Sequence, residues 1–258
     1  VSRITLLTDF GTRDGYVAAM KGVIASIFPG VAVDDVSHEI EPGDIRGAAL
    51  VLSRYWRLYP TGTVHLAVID PGVGTERAAL AAEADRRLFV APDNGVLSRV
   101  QDAWPGMRFV RIESPQFVSA DPSRTFHGRD VFAPAAAHLA RGIHLSRLGR
   151  PVTSPLRIEE PSASWANQAL VGEVVSLDRF GNLVTNLPGT SVGSDYEVEI
   201  GGKTIPVVGT YGEVPAGSVG AVVNSDGRVE VAARERSAAD LLSAGIGTRV
   251  SLRKTFPG

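Results

Sequence analysis

The chain contains no cysteine among its 258 residues. Disulfides, thiolate nucleophiles and every sulfur-ligated zinc site are therefore excluded, and the composition fits a reducing compartment. Net charge is also nearly absent, at -2, so there is no electrostatic footprint for nucleic acid or an anionic membrane surface. No apolar run approaches the length needed to cross a bilayer. The opening "VSRITLLTDFGTRDG" reaches polar residues too soon for a secretory leader, and a cytoplasmic location is expected. Histidines number only five. His38, His65, His138 and His144 show no metal-ligand spacing, so no metal site is expected. What remains is ordinary for a globular chain: 44% hydrophobic and 21% charged, at a length that suits one large domain or two smaller ones.

The first 150 residues alternate between two periods. "ITLLT" (4–8) and "TVHLAVI" (63–69) are nearly continuous apolar runs, the pattern of strands covered on both faces. Between them, Val17, Met20, Ile24, Ile27 and Phe28 share a helical face. Ile45, Ala48, Ala49, Leu52 and Trp56 share another, with Asp44 placed to cap it. "PGVAVDDVS" reads as a strand, and a short helix is expected near 95–102. "FHGRDVFAPAAAHLARG" reads as a helix ending at Gly142, with Asp130 as its cap. This order predicts an α/β domain over 1–150, with a mainly parallel sheet flanked by helices. A polar, Pro- and Ser-containing connector is expected over 151–168. Over 169–258, short β-type runs ("LVGEVVSLD", "LVTNL", "YEVEIG", "KTIPVVG", "SVGAVVNS", "RVEVAA") alternate with Gly, Asn and Pro turns. That spacing predicts an all-β, barrel-like domain.

Ligands of parallel sheets gather beyond the carboxyl ends of the strands. Here those ends carry aspartates, Asp9 after "ITLLT" and Asp70 after "HLAVI". Each motif also has a plain structural reading. "TDFG" is a strand-to-loop turn, or a carboxylate able to accept two hydrogen bonds from a ribose diol. "DPGVGTER" lacks the Lys-Ser/Thr of a phosphate-binding loop; Asp70 and Arg77 are an ion pair across a tight turn, or part of a site. "TFHGRD" puts His127 and Gly128 before a helix, where amides attract electron-rich oxygen. "SLDRFGNLVTN" is a hairpin connection, or offers Asp178 to an ammonium, Phe180 to a base face and Asn182 to a purine edge. "NSDGRVEVA" is likewise a hairpin or a ligand-facing loop.

As an ordered set, "TDFGTRDGYV", "IDPGVGTER", "PDNG", "TFHGRD", "DRFGNLVTN" and "NSDGRVEVA" resemble the S-adenosyl-L-methionine (SAM) hydrolases that form adenosine, the SAM hydroxide adenosyltransferases. These are relatives of the fluorinase and chlorinase. The resemblance implies an enzyme that splits SAM, its substrate, into adenosine and L-methionine without a metal or other cofactor, by in-line attack of water at C5′. It implies a homotrimer with sites between the N-terminal domain of one subunit and the C-terminal domain of the next. The family's Asp-Arg-His triad matches Asp70, Arg77 and His127, with amides near Gly128 cradling the attacking oxygen. Asp9 matches the ribose contact, Asp178 the methionine end and Asn182 the adenine edge. Ser225, Glu230 and the backbone near Ala233 complete the implied pocket, and Phe180 and Tyr211 pack on the adenosine. The fluorinase carries tyrosine where this chain has Asp70 and serine where it has Gly128; the chlorinase shares the glycine. A fixed carboxylate at 70 repels halide and can orient or deprotonate water. The alternatives implied are a SAM-dependent 5′-halogenase and a non-catalytic adenosine or SAM binder. At the tail of the set, Arg234 and Glu235 depart from the family pattern.

Overall fold

A computed structural model describes residues 2–193 and 195–255. It divides into two compact units, one running through Ile158 and the other beginning at Glu159.

The first unit is an α/β layer. Its strands are β1 (Arg3–Thr8), β2 (Ala32–Ser37), β3 (Val64–Val68), β4 (Ala79–Ala84), β5 (Arg87–Pro92), β6 (Arg108–Arg111) and β7 (Pro151–Val152). Its helices are α1 (Tyr16–Ile27), α2 (Ile45–Tyr55), α3 (Ser98–Ala103) and α4 (Ala133–Ala140). The sheet order is β2-β1-β3-β5-β4-β6-β7. The strands from β2 to β5 in that order are parallel; β4, β6 and β7 extend the sheet in antiparallel fashion. The sheet is thus more mixed than the strand–helix alternation alone suggests. The reason lies in the β4–β5 link: Asp85 and Arg86 both take positive φ (47° and 58°), the backbone signature of a two-residue hairpin turn, here built without glycine.

Alternate residues of β1 and β3 feed two cores, which is why both runs are apolar throughout. Ile4, Leu6, Leu66 and Val68 pack with Met20, Ile24 and the alanines of α4. Leu7, Ala67 and Ile69 pack with Leu52, Trp56 and Val100. Asp44 caps α2, accepting from the Gly47 N–H at 2.8 Å. Asp130 does not cap a helix: residues 128–132 form a wide turn of π type leading into α4. The Asp130 carboxylate instead accepts from the Ser123 N–H (2.8 Å) and from Arg129 (2.7 and 2.9 Å), fixing the preceding loop.

The second unit carries β8 (Ser164–Ala166), β9 (Ala169–Leu177), β10 (Leu183–Pro188), β11 (Tyr196–Ile200), β12 (Lys203–Pro206), β13 (Val219–Val223), β14 (Arg228–Ala233) and β15 (Arg249–Lys254), with one short helix, α5 (Ala238–Leu242). The main path, β12-β11-β15-β9-β10-β14-β13, is antiparallel, with β8 paired to β9. A bridge between Val207 and Ala221, with the Val208 N–H donating to the Ala221 carbonyl at 2.8 Å, draws the two ends together. The result is a nearly closed barrel around Val174, Leu183, Val198, Val231 and Leu252. The segment expected as a plain connector, 151–168, contains β7 and β8.

Candidate active site

In-register pairing sets the site in the first unit. β1 and β3 run parallel with Thr8 opposite Val68. Asp9 and Asp70 therefore leave the sheet at the same edge. Asp9 Oδ2 accepts from the Gly43 N–H at 2.9 Å, which anchors one of its oxygens. Beyond β3, the Val73 N–H returns to the Asp70 carbonyl (3.2 Å), and Thr75 N and Oγ1 return to the Gly72 carbonyl (3.2 and 2.7 Å). These turns carry Arg77 back to Asp70. The "PDNG" turn locks the strand exit: Asn94 Nδ2 donates to the Ile69 carbonyl at 2.7 Å, and Asp93 Oδ1 accepts from the Leu156 N–H at 2.7 Å.

Arg77 lies between the other two triad candidates. Its Nε donates to Asp70 Oδ1 (2.8 Å) and its Nη2 to Asp70 Oδ2, a bidentate clamp. The same Nη2 meets His127 Nδ1 at 2.7 Å, and the guanidinium lies 5.1 Å from the centre of the Phe132 ring. Only 9% of the Arg77 side chain and 5% of the Asp70 side chain is exposed, so the pair is sheltered from screening water. Burial holds the His127 imidazole below the ordinary histidine pKa, and the Arg77 charge adds to this against the opposing pull of Asp70 and Asp130. A neutral ring that accepts at Nδ1 carries its hydrogen on Nε2. His127 can therefore present a donor to a bound oxygen.

These residues open on a cavity of about 350 Å³ lined by Asp70, His127, Gly128, Phe10, Tyr16 and Phe126, among others. Gly128 is closely packed on its inner side. A methyl group there would stand 3.1 Å from Phe126, 3.2 Å from Phe10 and 3.3 Å from Met20. Among the lining residues that sequence reasoning missed are Phe10, Tyr16 and Phe126, although each stands inside a motif already singled out. Apolar residues in turns carry no chemical signal until the fold gathers them.

The second unit has a cavity of about 570 Å³ lined by Asp178, Phe180, Asn182, Tyr211, Ala233, Arg234, Glu235 and Arg236. Asp178 organises its own turn: Oδ1 accepts from the Phe180 and Asn182 N–H groups (2.9 Å each) and Oδ2 from Asn182 Nδ2 (2.9 Å). Asn182 thereby turns its amide nitrogen inward and keeps its carbonyl oxygen as an acceptor. Phe180 is 76% exposed. Glu230 is buried and acts from behind the lining. It accepts from Tyr211 Oη (2.8 Å) and Asn224 Nδ2 (2.9 Å). Burial and the Glu230 carboxylate push the Tyr211 hydroxyl up to about 12, so it remains a donor. Ser225 sits exposed in the turn between β13 and β14 and is not part of this lining. Among the described residues, no group of three His, Asp or Glu stands close enough to hold a metal ion, and no helix is long and apolar enough to cross a membrane.

Comparison with known proteins covers both units. The family model for the SAM hydroxide adenosyltransferase N-terminal domain matches residues 4–149, and that for the C-terminal domain matches residues 172–251. The chain is 42% identical over 256 residues to an (R)-S-adenosyl-L-methionine hydrolase of Thermus thermophilus, covering 96% of this chain and 98% of that one. It is 39% identical to a protein of the same name from Salinispora tropica, with 96% of each covered. It is 29% identical to a fluorinase of Actinoplanes sp., with 96% and 97% covered. A crystal structure of an uncharacterized conserved protein from Thermotoga maritima superposes with a TM-score of 0.90 at 37% identity, covering 97% of this chain and all of that one.

Proposed function

The chain belongs to the SAM hydroxide adenosyltransferase family, and from that premise we propose how its own side chains carry the reaction. The enzyme hydrolyses S-adenosyl-L-methionine to adenosine and L-methionine. The preferred substrate in this proposal is the (R) sulfonium epimer, as in the names of those relatives.

The reaction is an in-line displacement at C5′. A water oxygen forms the new C5′–O bond as the C5′–S bond breaks, its electron pair returning to sulfur. Methionine leaves as a neutral thioether, and one proton is released. The sulfonium departs without protonation, so the reaction needs no metal or other cofactor. The difficulty is to hold one water behind C5′, and orientation of this kind contributes up to roughly 7–11 kcal/mol in the best cases. Asp70 accepts from that water and takes its proton. Arg77 fixes the angle of the Asp70 carboxylate through two parallel bonds. His127, held neutral and bonded to Arg77, directs Nε2–H at the same oxygen. Asp9, anchored by the Gly43 N–H, receives the ribose diol. The observation that carries the reading is the Arg77 clamp, which joins Asp70 and His127 through a single side chain.

The substrate also has a base and an amino acid to place. In this proposal Asn182, Phe180, Tyr211 and the backbone near Ala233 receive the adenine. Asp178 faces the methionine ammonium with the lone pairs its turn leaves over, and Ser225 and Glu230 contribute from outside the lining. The assembly proposed is a homotrimer in which the second unit of one subunit serves the first unit of its neighbour. Two cavities with complementary chemistry support it, since each holds contacts for only part of one substrate.

The decisive experiment incubates purified protein with SAM in ¹⁸O-water and separates the products by chromatography with mass detection. Adenosine carrying ¹⁸O at the 5′ oxygen, released with methionine, is the expected result. Methylthioadenosine, unlabelled adenosine or a 5′-chloro product in chloride buffer overturns the mechanism.

A further inference from the structure

The cavity beside the Arg77 clamp holds three aromatic rings with no part in handling water. Phe10 follows Asp9, Tyr16 opens α1, and Phe126 precedes His127. Their centroids are 6.0 Å apart for Phe10–Tyr16, 5.9 Å for Phe10–Phe126 and 5.1 Å for Tyr16–Phe126, with interplanar angles of 61°, 72° and 80°. Each pair meets edge to face rather than stacked, and all three rings line the cavity. The cluster is reachable, because Tyr16 remains 50% exposed. It already attracts a cation on one side: the Arg129 guanidinium lies 5.2 Å from the Phe126 centroid.

Charge around the cluster leaves a specific gap. Among the residues lining this cavity, Asp70 is the one carboxylate, and both its oxygens are engaged by Arg77. Arg129 is paired with Asp130, and His127 is held toward its neutral form. Within this lining a cationic centre meets no carboxylate other than the clamped Asp70. The electron-rich surface it meets is the ring faces, which attract cations within about 6 Å of a centroid.

We infer that Phe10, Tyr16 and Phe126 form a cage for the sulfonium of SAM, and that ring faces rather than a carboxylate separate SAM from its neutral thioether counterpart. The inference rests on the hydrolase reading of this site. It also fits the reaction's direction. The positive charge vanishes as C5′–S breaks, so attraction to it favours the bound substrate over the transition state. Rings hold a cation less tightly than an unpaired carboxylate would in the same dry site, and they give it up at lower cost.

Two ligands that do not react test this. Sinefungin places an ammonium where SAM has its sulfonium, and S-adenosylhomocysteine places a neutral sulfur there. Calorimetry gives Kd for both with the wild-type protein and with Tyr16→Leu, Phe126→Leu and Tyr16→Phe. The wild type is expected to prefer sinefungin. That preference should fall about fivefold to tenfold in each leucine variant and persist in Tyr16→Phe, which keeps the ring. Tyr16, being half exposed, carries the test if Phe126→Leu does not fold. Leucine variants that weaken both ligands equally, or that leave the preference intact, overturn the cage. A wild type without the preference does so too. Neither ligand turns over, so the result stands apart from whether adenosine is released from SAM.

Discussion

Replacing Arg77 separates its two jobs, because the structure assigns each a distinct cost. Arg77→Met keeps an aliphatic stem in place but leaves Asp70, with its side chain 5% exposed, as a buried charge without a partner. Breaking a buried pair on one side costs about 3–5 kcal/mol. For a chain of this size, each kcal/mol lowers Tm by about 2–4 °C, so calorimetry should show a fall of about 6–20 °C. The double variant Asp70→Asn/Arg77→Met removes the stranded charge and should recover roughly half of that loss or more. Arg77→Lys keeps the charge and most of the stability. One ammonium cannot reproduce the Nε and Nη2 bonds to two carboxylate oxygens together with the contact to His127. The carboxylate is then free to swing, and a misplacement of about 1 Å can cost roughly a hundredfold in rate. Adenosine release followed by chromatography should therefore show kcat down about 10²-fold in a lysine variant that melts near the wild type. The reasoning is refuted if Arg77→Met melts no lower than the double variant, or if Arg77→Lys turns over at the wild-type rate.

Three further outcomes follow from other parts of the molecule. Burial drives the His65 pKa down to about 3, below its unfolded value, so its contribution is complete above about pH 6.5 and is lost as pH falls towards 3. Between pH 6.5 and 4.5 this group should cost the wild type about 2 kcal/mol, and His65→Gln, tracked by urea titration at each pH, should lack that part of the slope. If the proposed trimer holds, mixing Asp70→Asn chains with Asn182→Ala chains after co-refolding should restore about a quarter of wild-type activity, because random assembly around such a ring would pair an intact first unit with an intact second unit at about one site in four; no recovery would mean that each site belongs to one chain. Gly128→Ala forces Phe126, Phe10 and Met20 to yield together, an overpacking cost of about 1–3 kcal/mol, and steady-state assays should show kcat/KM falling further than stability alone explains.

The parts of the fold that sequence reveals are those where one local signal decides the outcome. The apolar runs of β1 and β3 alternate between two cores, and the Asp44 cap is plain from its position before α2. The β4–β5 turn escapes because Asp85 and Arg86 take positive φ where glycine or asparagine would be the usual cue. β15, "RVSLRK", escapes because its charged positions hide the buried Val250 and Leu252. Asp130 shows how one residue type serves two local structures: a carboxylate before a helix reads as a cap, yet here it ties Ser123 and Arg129. In the site, the residue types at 70, 77 and 127 are legible, but not that Arg77 stands between the other two. That order depends on the chain returning from residues 71–77 and on a loop fifty positions later. Ser225 lies beside informative neighbours in sequence, and the hairpin leaves it at the exposed tip.

The crowding around Gly128 bears on how such a protein can change over generations. Its missing side chain is matched by side chains from three separate stretches, the loop after β1, helix α1 and the segment before α4. A lineage that puts serine there meets a steric conflict in all three at once. A neighbour must shrink or turn before the new residue is tolerated, so the order of substitutions is constrained.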